Sequence, residues 1–478
     1  MATRNRAAQW VAVWVIIGIL LAGGFAAAVL RADILAATGL TRDGAPATIS
    51  PSLFAPPPTP TASVPPPAGA GLAGAAELPD PGPLPDRATL ESRLNSLDRS
   101  NFASVDGAPV NVAYEVVDVA TGDIVGANTQ DLPLIPASNT KTLTVLAVMN
   151  AFTGEERFAT RVVQPTPGQI VLVGDGDPML RSLPAEADSY PRPASTQELA
   201  AATAEALKAA GRTTVTLGYD ATAFTDPGWN QTWPGNYRDQ VTQLSALWVD
   251  EGRTTGMPRS QTPALHAAQV FAAQLAAAGI TVTGEPAPIA GSGEELARVE
   301  SLPVHVLVET AMNRSNNSFT EVLGFQLARK TGHPATFAGS VAAIQEQLTS
   351  LGLWSEGAVL HDASGLSRSN RVTAGMLAEA VRALASEPRL SVILDGLPTA
   401  GVTGTLADRF TDDISRPARG VARAKTGTLS FVSSLAGTTL TADGRLVAFA
   451  IVINGPQDGF ASRVWADRAA GVVTACGC

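Results

Sequence analysis

Ser138-Asn139-Thr140-Lys141 is the stretch whose reading decides how the rest of the chain is read. If these four residues open a helix, positions i and i+3 share a face and the Lys141 amine lies about one turn from the Ser138 hydroxyl. A serine hydroxyl is a poor nucleophile at neutral pH. A lysine beside it accepts its proton only where burial lowers the lysine pKa enough for neutral amine to exist. The flanks favour a helix: Pro136 and Ala137 lead in, and Thr142 to Met149 forms an apolar run that ends near Gly154. Ser138 then sits at the positive end of the helix dipole. Taken alone, the pattern reads equally well as an N-cap serine followed by a solvated lysine.

Two later patterns change that balance. Ser315-Asn316-Asn317 is an S-x-N and Lys425-Thr426-Gly427 a K-T-G. Each alone is ordinary loop or strand-turn sequence, but the three in this order resemble the motif set of penicillin-binding proteins and serine β-lactamases. The chemistry they support is acyl transfer: Ser138 attacks a carbonyl, Lys141 takes its proton, and water hydrolyses the resulting serine ester. Ser315 is placed to relay a proton to the leaving amine, and Asn317 to hold a substrate amide or orient Lys141. Lys425 favours a substrate carboxylate, to which Thr426 and Thr428 donate hydrogen bonds. Gly427 lets the backbone approach the substrate with no Cβ in the way. Backbone amides of Ser138 and Thr428 are the expected oxyanion hole.

The chain has 478 residues, enough for two or three domains. A net charge of −10 and a pI near 5.0 argue against a nucleic-acid partner, which needs a basic face. Its two cysteines, Cys476 and Cys478, form no zinc or disulfide framework; at a frayed end they read as a labile disulfide or two free thiols. His266, His305, His333 and His361 are scattered and read as structural. Asp175 and Asp177 belong to a loop too short for a calcium site and read as a turn. No metal or cofactor is expected.

In chain order, residues 1–9 read as a cytoplasmic tail carrying Arg4 and Arg6. Residues 10–30 form an uncharged apolar run able to cross roughly 30 Å of hydrocarbon at about 1.5 Å per residue. The run reads as a transmembrane anchor, with a cleaved secretory signal as the alternative; both place the body outside the cytoplasm. Residues 31–86 form a Pro-rich linker, and Pro51 to Pro85 would reach roughly 110 Å if extended at about 3.1 Å per residue. Residues 87–155 and 303–478 read as two parts of a catalytic domain. The separation of Ser138 from Ser315 exceeds what a compact domain needs, so 156–302 reads as an inserted domain. Alternating Val110 to Asp118 predicts a strand of a hairpin. Strands are also expected at Ala422 to Thr426, Phe431 to Thr439 and Leu446 to Ile453, with helices over 303–312, 319–330, 334–351 and 373–385. The fold class expected is α+β, an antiparallel sheet with helices on both faces.

The flanks extend the likeness. Met312 to Asn317, Asp362-Ala363-Ser364-Gly365-Leu366-Ser367-Arg368, Gly401 to Leu406, Ala424 to Leu429 and Ser433 to Gly437 resemble the class C low-molecular-mass penicillin-binding proteins, the D-Ala-D-Ala carboxypeptidase/endopeptidase family. Gly174 to Pro178 and Gly218 to Phe224 resemble that family's inserted region. The resemblance covers roughly residues 87 to 478. It implies the penicilloyl-serine transferase fold, peptidoglycan stem peptides ending in D-Ala-D-Ala as substrate, and covalent inhibition by β-lactams. It also implies that Arg368 and Asp220 line the pocket reading the stem peptide's diamino-acid side chain. Ala363 departs from the family's usual glycine, which bears on loop geometry. The alternatives are a serine β-lactamase and a non-catalytic penicillin-binding sensor.

Overall fold

The computed structural model describes residues 82–104, 107–254 and 259–478. The expected tail, the 10–30 span and the linker up to residue 81 lie outside the described residues. Among the described residues no helix is long and apolar enough to cross a membrane.

The body opens with helix α1 (Arg87–Asn95), whose N-cap Asp86 accepts from the Thr89 amide and whose Leu90 and Leu94 are buried. Strands β1 (Asn111–Asp118) and β2 (Ile124–Asn128) form a hairpin whose turn is closed by Asp118 accepting from Thr121. Helix α2 (Thr140–Ala151) follows the serine. Every residue from Thr140 to Met149 is buried, so this is a central helix with no wet face.

A second sheet is built from β3 (Ala159–Thr166), β4 (Gln169–Gly174), helix α3 (Thr196–Ala209), β5 (Thr214–Asp220), helix α4 (Pro263–Ala277), the two-residue strands β6 (Thr281–Val282) and β7 (Ala287–Pro288), and β8 (Glu294–Glu300). Its order is β6-β5-β4-β3-β8, with β7 also beside β5. The antiparallel expectation does not extend here: β5 runs parallel to β4, because α3 carries the chain across between them. A capping box of Ser195 and Glu198 starts α3, and Leu199, Leu207, Phe271 and Leu275 pack with Ile170 and Leu172 into a core of their own.

The chain then forms α5 (Val304–Arg314), α6 (Asn317–Thr331), α7 (Phe337–Ser350), α8 (Ala374–Ser386), the short α9 (Ser391–Asp395), β9 (Arg423–Leu429), β10 (Val432–Leu440), β11 (Leu446–Asn454) and α10 (Gly459–Thr474). The last three strands join the hairpin in a five-stranded antiparallel sheet, β2-β1-β11-β10-β9. Along β11, Ala448, Ala450 and Val452 pack into the cluster of α2, α5, α6, α7 and α8. The alternate residues Val447, Phe449, Ile451 and Ile453 meet α1 and α10. Helices therefore cover both faces, and the period of two is read out as two separate cores.

Three local expectations are corrected. The strand expected to run into the K-T-G and end at Thr426 continues to Leu429, so the whole motif lies inside β9. Helix α10, the interior strand β3 and the edge strand β8 are elements the sequence reading did not assign. The C-terminal end is tied down: Cys476 is buried and joined to Cys478, whose carbonyl accepts from the Asp86 amide at 2.6 Å.

Candidate active site

Ser138 sits in a single 3₁₀ turn, Ala137–Asn139, immediately before α2. Ala137 enters that turn at φ +49°, a left-handed conformation that costs a non-glycine residue of order 1–3 kcal/mol. The burial around it holds it there: Ala137 is fully buried, its carbonyl accepts from the Thr140 hydroxyl at 3.0 Å, and Gly365 packs on it so closely that a Cβ would overlap. The result aims Ser138 along the first turn of α2. Lys141 Nζ lies 3.1 Å from Ser138 Oγ and also donates to Asn317 Oδ1 and to the Ser364 carbonyl, each at 2.6 Å. Lys141 is fully buried, and burial pushes its amine down to about 8 against the opposing pull of Asp362 and Glu321. Neutral amine is thus accessible near neutral pH beside the hydroxyl.

Ser315 is the second left-handed residue at the site, at φ +49° where α5 ends, with α6 starting two residues later at Asn317. This break directs Ser315 and Asn317 to one cleft. Ser315 Oγ accepts from Lys425 Nζ at 2.6 Å, and Asn317 Nδ2 donates to the Gln240 carbonyl at 3.1 Å. Lys425 is also buried; burial and then the neighbouring Lys141 hold its amine well below the ordinary lysine range. On β9, Lys425 and Gly427 face the start of α2. A Cβ on Gly427 would overlap Ser434 Oγ and come within 2.7 Å of the Pro136 carbonyl and 3.1 Å of the Ser138 amide. Ser434 closes this contact by donating to the Pro136 carbonyl and accepting from Asn139.

These groups open on a cleft of about 550 Å³ lined by Ser138, Ser315, Asn317, Thr426 and Thr428 together with Tyr237 and Gln240. Among the described residues there is no cluster of side chains able to hold a metal ion. A buried serine–lysine pair, a second serine–lysine pair and strand hydroxyls around one cleft make up the apparatus for covalent acyl transfer.

Comparison with known proteins gives the same answer. The profile of the D-Ala-D-Ala carboxypeptidase 3 (S13) family matches residues 103–257 and 252–475. The chain belongs to this family. It is 33% identical over 407 residues to a carboxypeptidase of Mycobacterium tuberculosis, covering 80% of this chain and 86% of that one. It is 34% identical over 379 residues to carboxypeptidase DacB of Mycolicibacterium smegmatis, covering 77% and 81%. Among solved structures, penicillin binding protein 4 of Haemophilus influenzae superposes with a TM-score of 0.65 over 80% of this chain and 97% of that one, at 20% identity, which shows the shared fold. That protein has also been solved in complex with a β-lactam, with a TM-score of 0.59 at 21% identity over the same shares of the two chains.

Within this S13 chain the residues expected at the site divide into two groups. Ser138, Lys141, Ser315, Asn317, Lys425, Thr426, Gly427 and Thr428 come together. Arg368 lies at the cleft's edge, donating to the carbonyl of the lining residue Ser430 at 2.9 Å. Asp220 does not reach the lining. Its carboxylate accepts from Thr222 in a local turn and from the Gly291 amide at 2.6 Å, which turns it back into the second sheet. Ala363 fits its turn without strain, because the residue that needs positive φ is Gly365, at +86°. The Ala363 carbonyl accepts from Thr144 of α2 at 2.7 Å.

Sequence reasoning missed the strap from Gly235 to Gly252. It supplies Tyr237, Asp239 and Gln240 to the cleft, and Glu251, which accepts from Arg314 at 2.5 Å and Asn316 at 2.9 Å and so grips the S-x-N loop from both sides. Arg409 and Arg463 on the opposite wall were also missed, as was buried Glu321, one turn beyond Asn317 on α6. Only Glu321 had a usable signal, its i+4 spacing from the motif asparagine.

Proposed function

We propose that this S13 enzyme is a serine-type D-Ala-D-Ala carboxypeptidase that acts on peptidoglycan stem peptides through an acyl-Ser138 intermediate and is inhibited covalently by β-lactams. The observation that carries the reading is Lys141 Nζ, fully buried and 3.1 Å from Ser138 Oγ. Neutral Lys141 takes the serine proton as Ser138 attacks the carbonyl of the penultimate D-alanine. The amides of Ser138 and Thr428 receive the developing oxyanion. The Lys425–Ser315 pair passes a proton to the departing amine, and Thr426 and Thr428 bind its carboxylate. Asn317 orients Lys141. Water then releases the acyl group.

Purified protein should release D-alanine from a D-Ala-D-Ala peptide, and Ser138→Ala should stop both that release and covalent labelling by a fluorescent penicillin. Release near the wild-type rate in the variant defeats the assignment. The penicilloyl label should persist for many minutes; loss within seconds would identify a β-lactamase instead. Mass spectrometry of digested cell-wall fragments separates trimming of stem peptides from cleavage of cross-links, an endopeptidase activity the same serine supports when the leaving amine belongs to a neighbouring stem.

We propose further that residues 10–30 anchor the protein in the cell membrane, that the Pro-rich linker holds residues 87–478 on the cell-wall side, and that 156–302 is a domain inserted into the catalytic one. The apolar run, the flanking arginines and the proline density support the anchor and tether. Protease added to spheroplasts should remove the body and leave a membrane-bound fragment; a body that resists it is on the wrong side.

A further inference from the structure

Asn317 and Glu321 stand one turn apart on α6, on the face turned toward Lys141. Glu321 is fully buried. Its carboxylate accepts the amides of Ala363 at 3.2 Å and Ser364 at 2.8 Å, while the carbonyl of the same Ser364 accepts from Lys141 Nζ at 2.6 Å. One residue of a tight turn therefore joins a buried carboxyl group to the base of the reaction. The other charged groups facing this centre are Asp362 and Lys425. Asp362 is consumed by four donors: the amides of Gly365 and Ser367, Asn370 Nδ2 and Trp233 Nε1, at 2.6–2.9 Å. Lys425 is engaged with Ser315. Glu321, by contrast, is held by the two amides of the turn that also carries the Lys141 acceptor.

We propose that Glu321 is a positioning residue that sets the pH at which Lys141 becomes the free base, its charge holding the proton on Lys141 and its neutral form letting that proton go. The inference rests on the assignment of Lys141 as general base. Burial, and after it the charge of Asp362, raises the Glu321 carboxyl to about 8, the range to which burial brings Lys141 down. Two interacting groups that ionise in one range lose their protons in steps that belong to the pair, so the charge of one sets where the other ionises. Where Glu321 is ionised, its carboxylate stabilises the ammonium formed when Lys141 takes the Ser138 proton, until that proton moves on toward the leaving amine.

The test is the rate of Ser138 labelling by a fluorescent penicillin as a function of pH, in full-length wild type and Glu321→Gln. Removing the carboxylate should move the acid limb of the profile to lower pH by about one unit, making the variant up to about tenfold faster on that limb. Superimposable limbs overturn the inference while leaving the acyl-serine reading intact. A wild type that takes no label at any pH overturns both. If Glu321→Gln loses its thermal unfolding transition, Lys141→Met reads the same coupling from the other side. By linkage, loss of the ammonium should raise the pH at which Glu321 ionises, so the infrared band of protonated carboxyl should grow at pH 8. An unchanged band overturns the inference.

Discussion

Strands β10 and β11 of the five-stranded sheet are buried along nearly their whole length on both faces, whereas β8, at the rim of the second sheet, exposes Glu294, Glu295, Arg298 and Glu300. The two regions serve one cleft in different ways. The doubly covered sheet and the buried helix α2 carry the reacting groups, including Lys425 on β9, in positions fixed by packing on every side. The second region sends no motif side chain. It sends the strap, whose Gln240 carbonyl and Glu251 carboxylate hold Asn317, Asn316 and Arg314 from outside. Reaction and restraint are divided between a scaffold that cannot shift and a clasp that can be varied without touching the chemistry.

That division can be tested from its strong end to its weak one. Lys141→Met should cost about 10²–10⁴-fold in the rate of penicillin labelling, the range for a lost general base, with the folded state retained. In the doubly covered sheet, Asp118→Asn breaks the pair with Arg445 and should lower the midpoint of denaturant unfolding by more than loss of an exposed ion pair does. The pH sign follows from the same pair. Burial raises the Asp118 carboxyl, but the bonds from Arg445 and Thr121 outweigh it, so the folded pKa lies below the ordinary carboxylate value. The stabilisation is fully present above about pH 4 and is lost as pH falls through the depressed value, so acid unfolding should be shallower in the variant. Gly427→Ala drives a methyl group into Ser434 and the Ser138 turn and should cost about 1–3 kcal/mol of stability, with slower labelling. In the clasp, Glu251→Gln should leave unfolding nearly unchanged and slow acylation by roughly tenfold, the equivalent of one charged hydrogen bond. A loss as large as that of Lys141→Met would erase the distinction between the two regions. The exposed Arg87–Glu91 pair marks the floor: Arg87→Ala should change stability by less than about 0.5 kcal/mol.

Legibility in the sequence followed the same boundary. Strands β1, β10 and β11 and helices α6, α7 and α8 are visible because each buries a periodic face, and the three motifs declare themselves by residue type and order. Strand β8 was invisible because its charged residues carry no strand period, β3 because Pro165 interrupts it, and α10 because Arg463, Asp467 and Arg468 dilute its apolar stripe. Part of that dilution is structural: Asp467 is nearly buried and pairs with Arg409 at 2.6 Å. Asp220 was misplaced because a motif fixes a residue's neighbours in sequence, not the direction its carboxylate turns. Glu251 was missed because its partners lie far along the chain, with Arg314 63 positions away.

Two buried amines with lowered proton affinity, Lys141 and Lys425, stand behind the lining of this cleft, each donating to one of its serines, Ser138 and Ser315. A ligand that brings a carboxylate to Lys425 restores a reason for that nitrogen to be charged, so substrate arrival is coupled to uptake of a hydrogen ion from the medium. Titration calorimetry in buffers of different ionisation heat would register it, as an apparent binding enthalpy that changes with the buffer while the affinity at fixed pH does not.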